Sequence, residues 1–131
     1  MTDREAIELL GQRHVDAALA KDVEAFLATI TDDCILVPPH DQAARGKDAV
    51  RRWVQGFFGA LTIQRLEFPK TTLEVDGDLA LKHYTFEWTV VPVSGGDPMT
   101  DRGNGIYAYR RSEDGAWKVS YDLWSSSDPL A

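Results

Sequence analysis

The stretch Asp114-Gly115-Ala116-Trp117-Lys118-Val119-Ser120-Tyr121-Asp122-Leu123-Trp124-Ser125 decides the fold class of this chain. Asp-Gly is a tight-turn dipeptide, and the residues after it alternate in polarity as a strand does. Simple alternation assigns Trp117, Val119, Tyr121 and Leu123 to one face and Lys118, Ser120, Asp122 and Trp124 to the other. With a two-residue turn, Tyr107 of the preceding strand lies directly opposite Asp122. Tyr107, Tyr109, Ser120, Asp122 and Trp124 then share one sheet face. A carboxylate beside a tryptophan on a sheet face calls for a chemical reason.

Upstream of this stretch the period-two pattern continues. Leu61 to Val75, interrupted at Pro69, precedes the hairpin signal Asp76-Gly77-Asp78. Leu79 to Val91 reads as a long strand with Tyr84, Phe86, Trp88 and Val90 on one face and His83, Thr85, Glu87 and Thr89 on the other. Asp101 to Arg111 follows a glycine- and proline-containing loop. Before Leu61 the period is helical. Thr2-Asp3-Arg4-Glu5 is a capping box opening a helix to about Ala20, with Ile7, Leu10, His14, Ala17 and Ala18 on its inner stripe. Asp22 caps a shorter helix carrying Val23, Phe26, Leu27 and Ile30. Cys34 to Val37 is a short strand stopped by Pro38-Pro39, His40 to Gly46 is polar loop, and Lys47 to Phe58 is strongly amphipathic. Helices first and strands afterwards imply an α+β class. Three N-terminal helices packed on a curved antiparallel sheet give a cone-shaped α+β barrel with an apolar mouth.

At 131 residues the chain is expected to be a single domain, residues 1–131, with one core. Its net charge of −7 argues against nucleic acid and anionic membranes as partners. No apolar run has the length of a membrane span, and a cytoplasmic setting fits a lone cysteine, Cys34, read as a small buried hydrophobe. His14, His40 and His83 lack metal-ligand spacing, and no glycine-rich loop follows a strand, so neither a metal nor another cofactor is expected.

The element order, together with Gly115-x-Trp117-Lys118-Val119-x-x-Asp122-x-Trp124 and Gly105-Ile106-Tyr107-Ala108-Tyr109-Arg110-Arg111, resembles the nuclear transport factor two-like superfamily. Within it the chain is similar to the ketosteroid-isomerase-like and SnoaL-like (polyketide-cyclase-like) branches. Further matching pieces are Ala20 to Phe26, Thr31 to Pro38 and Gly46 to Val50. The resemblance implies a cone fold that hosts enzymes, binding modules and dimerisation domains alike. Ketosteroid isomerases carry a proton-abstracting aspartate just before the proline that ends the first strand. Here that place reads Leu36-Val37-Pro38-Pro39, so the base is missing. Their first-helix tyrosine corresponds to His14, and the protonated aspartate on their penultimate strand falls at about Tyr107. The Asp-Arg-Asp set of an epoxide-opening branch has residue types to match in Asp101, Arg102 and Asp122, but adjacent strand residues point to opposite faces.

The resemblance also implies that the Tyr107–Trp124 face lines a cavity with Tyr84, Phe86, Trp88 and Tyr109 in its walls. His14 could then approach Asp122 as a carboxylate-oriented base, with Tyr107 stabilising an enolate oxygen. The ordinary alternative for His14 and Asp122 is a structural hydrogen bond. Trp53 and Phe57 are core residues by default and ligand contacts by resemblance. His40, beside Asp41, falls at the expected pocket mouth, where a solvated loop pair competes with a gating or acid–base role. The expectation is a protein of unassigned substrate, either a cofactor-free isomerase, cyclase or lyase acting by proton transfer on a small apolar carbonyl compound, or a non-catalytic module that binds a hydrophobic molecule or dimerises. A homodimer through the outer sheet face is expected in either case.

Overall fold

A computed structural model describes residues 1–128. Helix α1 (Asp3–Ala20) starts at the capping box: Glu5 N donates to Thr2 Oγ1 at 3.1 Å, and Thr2 N donates to Glu5 Oε1 at 3.3 Å. Lys21, in the left-handed region at φ 58°, ends it. Helix α2 (Val23–Leu27) is capped by Asp22, whose Oδ1 accepts from Ala25 N at 3.0 Å. Strand β1 (Ile30–Val37), the short β2 (Ala44–Arg45) and helix α3 (Lys47–Ala60) follow, then β3 (Leu61–Glu67), β4 (Thr71–Asp76), β5 (Leu79–Pro92), β6 (Met99–Arg111) and β7 (Trp117–Ser126). No helix among the described residues is long and apolar enough to cross a membrane.

The α+β class and the three helices on a curved sheet are as expected, with corrections to the sheet and to element bounds. The sheet is open and mixed, in the order β2-β1-β7-β6-β5-β3, with β4 also on β5. Strand β1 pairs with β7 in parallel, Leu36 facing Asp122 and Val37 facing Leu123. Ile30 belongs to β1 and not to the second helix. Thr29 ends that helix by returning both its N–H and its hydroxyl to the carbonyl of Phe26, at 3.0 and 2.6 Å. The loop after Pro39 also contributes β2, which lies antiparallel on β1.

The face assignment of β7 is overturned in part. The connection from β6 to β7 is five residues long, Ser112 to Ala116, and not a two-residue turn. Tyr109 pairs with Val119 while Ala108 pairs with Tyr121, which leaves Ser120 as the extra residue of a β-bulge. The bulge restores the expected pairing of Tyr107 with Asp122 and flips the pleat below it. Trp117 and Val119, at 5% and 0% exposure, therefore point to the same inner side as Asp122, whereas Tyr121 and Leu123 lie on the outer side.

The core sits between the helices and this inner face, with Ile7 and Leu10 of α1, Val50 and Val54 of α3, and Leu36, Tyr109 and Val119 of the sheet. Cys34 is buried among them. Two glycines of β6 shape the aromatic wall. Gly105 pairs with Tyr84, and a Cβ there would overlap the phenol ring and its hydroxyl. Gly103 pairs with Phe86, and a Cβ there would overlap the backbone carbonyl of Ser125. The missing side chain at Gly105 lets Tyr84 lie flat across β6. Gly105→Ala is therefore expected to cost about 1–3 kcal/mol through overpacking. Urea denaturation measures this, and the same change made in a Tyr84→Ala background should cost much less because the obstructing ring is gone.

Candidate functional site

The helices and the inner face of the sheet enclose a cavity of about 80 Å³. One end is deeply buried and formed by Phe26, Leu36, Phe58, Ile63, Tyr84 and Phe86. The other is half-exposed and framed by four rings in a closed circuit. Trp53 stacks on Phe57 at 5.2 Å, Phe57 on Trp88 at 6.0 Å, Trp88 meets Trp124 edge-on at 6.3 Å, and Trp124 meets Trp53 edge-on at 5.8 Å. Helical spacing on α3 and alternation on β5 and β7 bring these rings together. Trp53 Nε1 donates to Asp41 Oδ2 at 3.3 Å, so the loop after Pro39 holds this indole from outside.

Among the described residues His14 and Asp122 are the cavity's only imidazole and carboxyl groups, and both are buried. His14 comes from the inner stripe of α1, and the bulge in β7 turns Asp122 toward it. His14 Nε2 lies 2.8 Å from Asp122 Oδ2, and His14 Nδ1 lies 2.7 Å from Thr29 Oγ1. The imidazole is further fixed by Phe26, with ring centroids 4.3 Å apart, and by the edge-on ring of Tyr107 at 5.4 Å. Both ring nitrogens are thus committed. Among the described residues nothing hydrogen-bonds Asp122 Oδ1, so this oxygen, and not an imidazole nitrogen, is the uncommitted atom of the pair.

Trp53, Phe57, Tyr84, Phe86, Trp88 and Trp124 all line the cavity, together with His14 and Asp122. Three other sequence candidates do not. Tyr107 stands opposite Asp122 on the inner face but off the cavity lining, stacked on Tyr84 at 4.8 Å and edge-on to His14. Tyr109 lies too far along β6 and is wholly buried under α1, its hydroxyl without a partner among the described residues and close to Gly11. His40 is exposed, in a turn with φ 58°, and its neighbour Asp41 is the residue that reaches the mouth. Asp101 and Arg102 line a separate surface groove with Asp128, which separates them from Asp122. Thr29 was not legible as a site residue. Its only signal is position, a hydroxyl residue ending a short helix where a return bond to the backbone is common.

Burial also sets the state of the acids around Asp122. It pushes the Cys34 thiol up to about 12, with the Asp122 carboxylate as the next cause. The phenols of Tyr84, Tyr107 and Tyr109 are likewise raised, first by burial and then by neighbouring charge and hydroxyls. All four groups are held protonated in the folded chain. Because the folded pKa exceeds the unfolded one, the contribution is full below the ordinary thiol and phenol values of 9.0 and 10.0 and is lost as pH rises through and beyond them. The urea midpoint should accordingly fall between about pH 8 and about pH 11, and Tyr84→Phe should make that decline shallower by removing one titrating group.

Comparison with known proteins is consistent with this architecture. The profile of the SnoaL-like domain matches residues 12–119. A ketosteroid isomerase-like protein from Erwinia carotovora atroseptica is 24% identical, with a TM-score of 0.84 over 95% of this chain and 96% of that one. A nuclear transport factor 2-like superfamily protein from Salmonella enterica is 12% identical, with a TM-score of 0.84 over 97% and 92% of the two chains. A candidate calcium/calmodulin-dependent protein kinase II association domain from Xanthomonas campestris is 14% identical, with a TM-score of 0.80 over 99% and 91%. At these identities the likeness is one of fold. No curated protein matches the chain. The profile match spans most of the sequence, the cone of helices on an open curved sheet agrees with it, and the chain belongs to the SnoaL-like domain family.

Proposed function

We propose that this chain is a cofactor-free proton-transfer enzyme, an isomerase, cyclase or lyase, acting on a small, uncharged, apolar carbonyl compound. The observation that carries this reading is a single buried carboxyl–imidazole pair in an otherwise aromatic and aliphatic cavity. In such a pocket Asp122 Oδ1 takes the proton from the carbon next to the carbonyl. The C–H electron pair moves onto the carbonyl oxygen as an enolate, and Oδ1 returns the proton at another carbon. His14 holds the opposite carboxyl oxygen throughout. Tyr84, whose phenol keeps its proton, is the lining hydroxyl suited to the enolate oxygen, with Tyr107 stacked against it.

A second reading is favoured by cavity size. An engineered cavity of about 150 Å³ binds benzene, and drug-sized sites span about 300–1,000 Å³. The cavity here is smaller than either. A purely ligand-binding or dimerising module of the same fold would keep His14 and Asp122 as a structural bond between α1 and the sheet. The two readings separate on α-proton exchange. Incubated in heavy water with a panel of small cyclic ketones, the protein should accelerate deuterium uptake read by proton NMR. Asp122→Asn should reduce that rate by about 100-fold or more while leaving the urea midpoint nearly in place. No acceleration across the panel, or equal rates in the variant, overturns the enzyme reading and leaves the binding one.

As partner we propose a second copy of this chain, seated on the outer face of the sheet. Leu81, Ile106 and Tyr121 are exposed there at 51%, 36% and 43%, and Ala108 and Leu123 fill between them across β5, β6 and β7. An apolar patch running over three strands is what a self-complementary two-fold interface buries. Sedimentation should show a dimer that Tyr121→Asp converts to monomer. A monomeric wild-type protein at micromolar concentration overturns the proposal.

A further inference from the structure

Thr29 is 4% exposed and fastened on every side. Its carbonyl accepts from Val119 N at 2.8 Å, which ties it to β7, and its own N–H donates to Phe26 O. Its hydroxyl lies 2.6 Å from Phe26 O and 2.7 Å from His14 Nδ1. A carbonyl oxygen has no hydrogen to give, so the hydrogen in the 2.6 Å contact belongs to Thr29. A hydroxyl has one proton, and toward the imidazole Thr29 Oγ1 can only accept. His14 Nδ1 therefore carries a hydrogen. At the other edge of the ring, Nε2 and Asp122 Oδ2 are 2.8 Å apart, and two bare lone pairs would repel at that distance. One proton lies between them, on the nitrogen or on the oxygen.

We infer that Thr29 is a positioning residue that fixes the proton content of the site. With Nδ1–H held by Thr29 and one further proton shared by Nε2 and Oδ2, the pair has no net charge in either form, imidazolium with carboxylate or neutral imidazole with carboxylic acid. The neutral ring exists only as the Nδ1–H tautomer. The surroundings leave this assignment to Thr29 alone. Cys34 on β1, Tyr84 on β5 and Tyr107 and Tyr109 on β6 face Asp122 as neutral acids, and Phe26 of α2 covers the ring with hydrocarbon. Take the hydroxyl away and Nδ1–H is left buried without an acceptor. The proton balance then favours Nε2–H donating to an Asp122 carboxylate, a pair with one net negative charge. An electroneutral pair in an apolar cavity selects uncharged ligands. This part deepens the proton-transfer reading and rests on it, whereas the tautomer does not.

The test uses the full chain labelled with nitrogen-15, with His14 resolved from His40 and His83 by His→Gln changes at those two positions. Long-range proton–nitrogen spectra distinguish a protonated ring nitrogen from one with a lone pair. Nδ1 of His14 should appear protonated across the pH range in which the protein stays folded. In Thr29→Val the lone pair should move to Nδ1, and Thr29→Ser should restore the wild-type pattern. A lone-pair Nδ1 in the wild-type protein, or an unchanged Nδ1 in Thr29→Val, overturns the inference. If Thr29→Val does not fold, the wild-type and Thr29→Ser spectra still decide it. On a ketone the wild type exchanges, Thr29→Val should lower turnover about tenfold with KM unchanged, the loss of one charge-assisted hydrogen bond, and Thr29→Ser should keep it. Absence of exchange in the wild type would remove the enzyme reading while the tautomer result stands.

Discussion

The bulge at Ser120 is the constraint on which the site depends. A strand that alternated without interruption could not bury Trp117 and Val119 and also turn Asp122 inward, because the first pair and Asp122 differ by an odd number of residues. One extra residue opposite Tyr109 resolves this. Below it β7 serves the core, and above it β7 serves the cavity. The five-residue connection before the strand shifts the register one way and the bulge shifts it back, so Tyr107 and Asp122 meet as they would across a shorter turn.

That cancellation explains which parts were legible. The Tyr107–Asp122 pairing follows from a turn that the chain does not contain, and simple alternation places Asp122 and Trp124 correctly while misplacing Trp117 and Val119. A bulge leaves no mark in a polarity pattern when the displaced residue is a serine, which is tolerated on either face. The amphipathic helices and the β5 alternation were clear because burial on one side leaves a long periodic trace. The parallel contact of β1 with β7 was not, since nothing in two distant strands encodes which neighbours they take. His14 and Asp122 could be named from an odd imidazole on an apolar stripe and an odd carboxylate on a sheet face. Their roles needed geometry, because only distances show that both imidazole nitrogens are occupied. Thr29 lay hidden as an ordinary helix-ending residue.

The Thr29–His14–Asp122 chain also has a structural side. It spans the end of α2, the middle of α1 and the upper half of β7, and adds to the apolar packing of these elements and to the bond from Val119 N to Thr29 O. Hydrophobic packing fixes such elements loosely, whereas hydrogen bonds of 2.7 and 2.8 Å fix them to one depth and one rotation. Removing one member strands the others in a medium that penalises unpaired polar groups, so the same bonds that orient the Asp122 carboxyl also set α1 over the sheet. The ring of Trp53, Phe57, Trp88 and Trp124 closes the opposite end without polar help, apart from the bond from Trp53 to Asp41.

The parallel docking of β1 on β7 has a bearing on how the chain is made. During synthesis α1, α2 and β1 emerge early, yet the strand that satisfies one edge of β1, and whose Val119 N–H takes up the carbonyl of Thr29, emerges after every other strand of the sheet. Until then β1 has only the two-residue β2 as a partner and the inner stripe of α1 has half a core to cover. The sheet grows from β3 through β6 as local antiparallel pairings, and closure waits for a contact between the two ends of the described chain. A ribosome-bound intermediate would therefore expose the apolar stripe of α1 together with an unpaired β1 edge, which makes the interval before β7 appears the one in which a chaperone has most to shield.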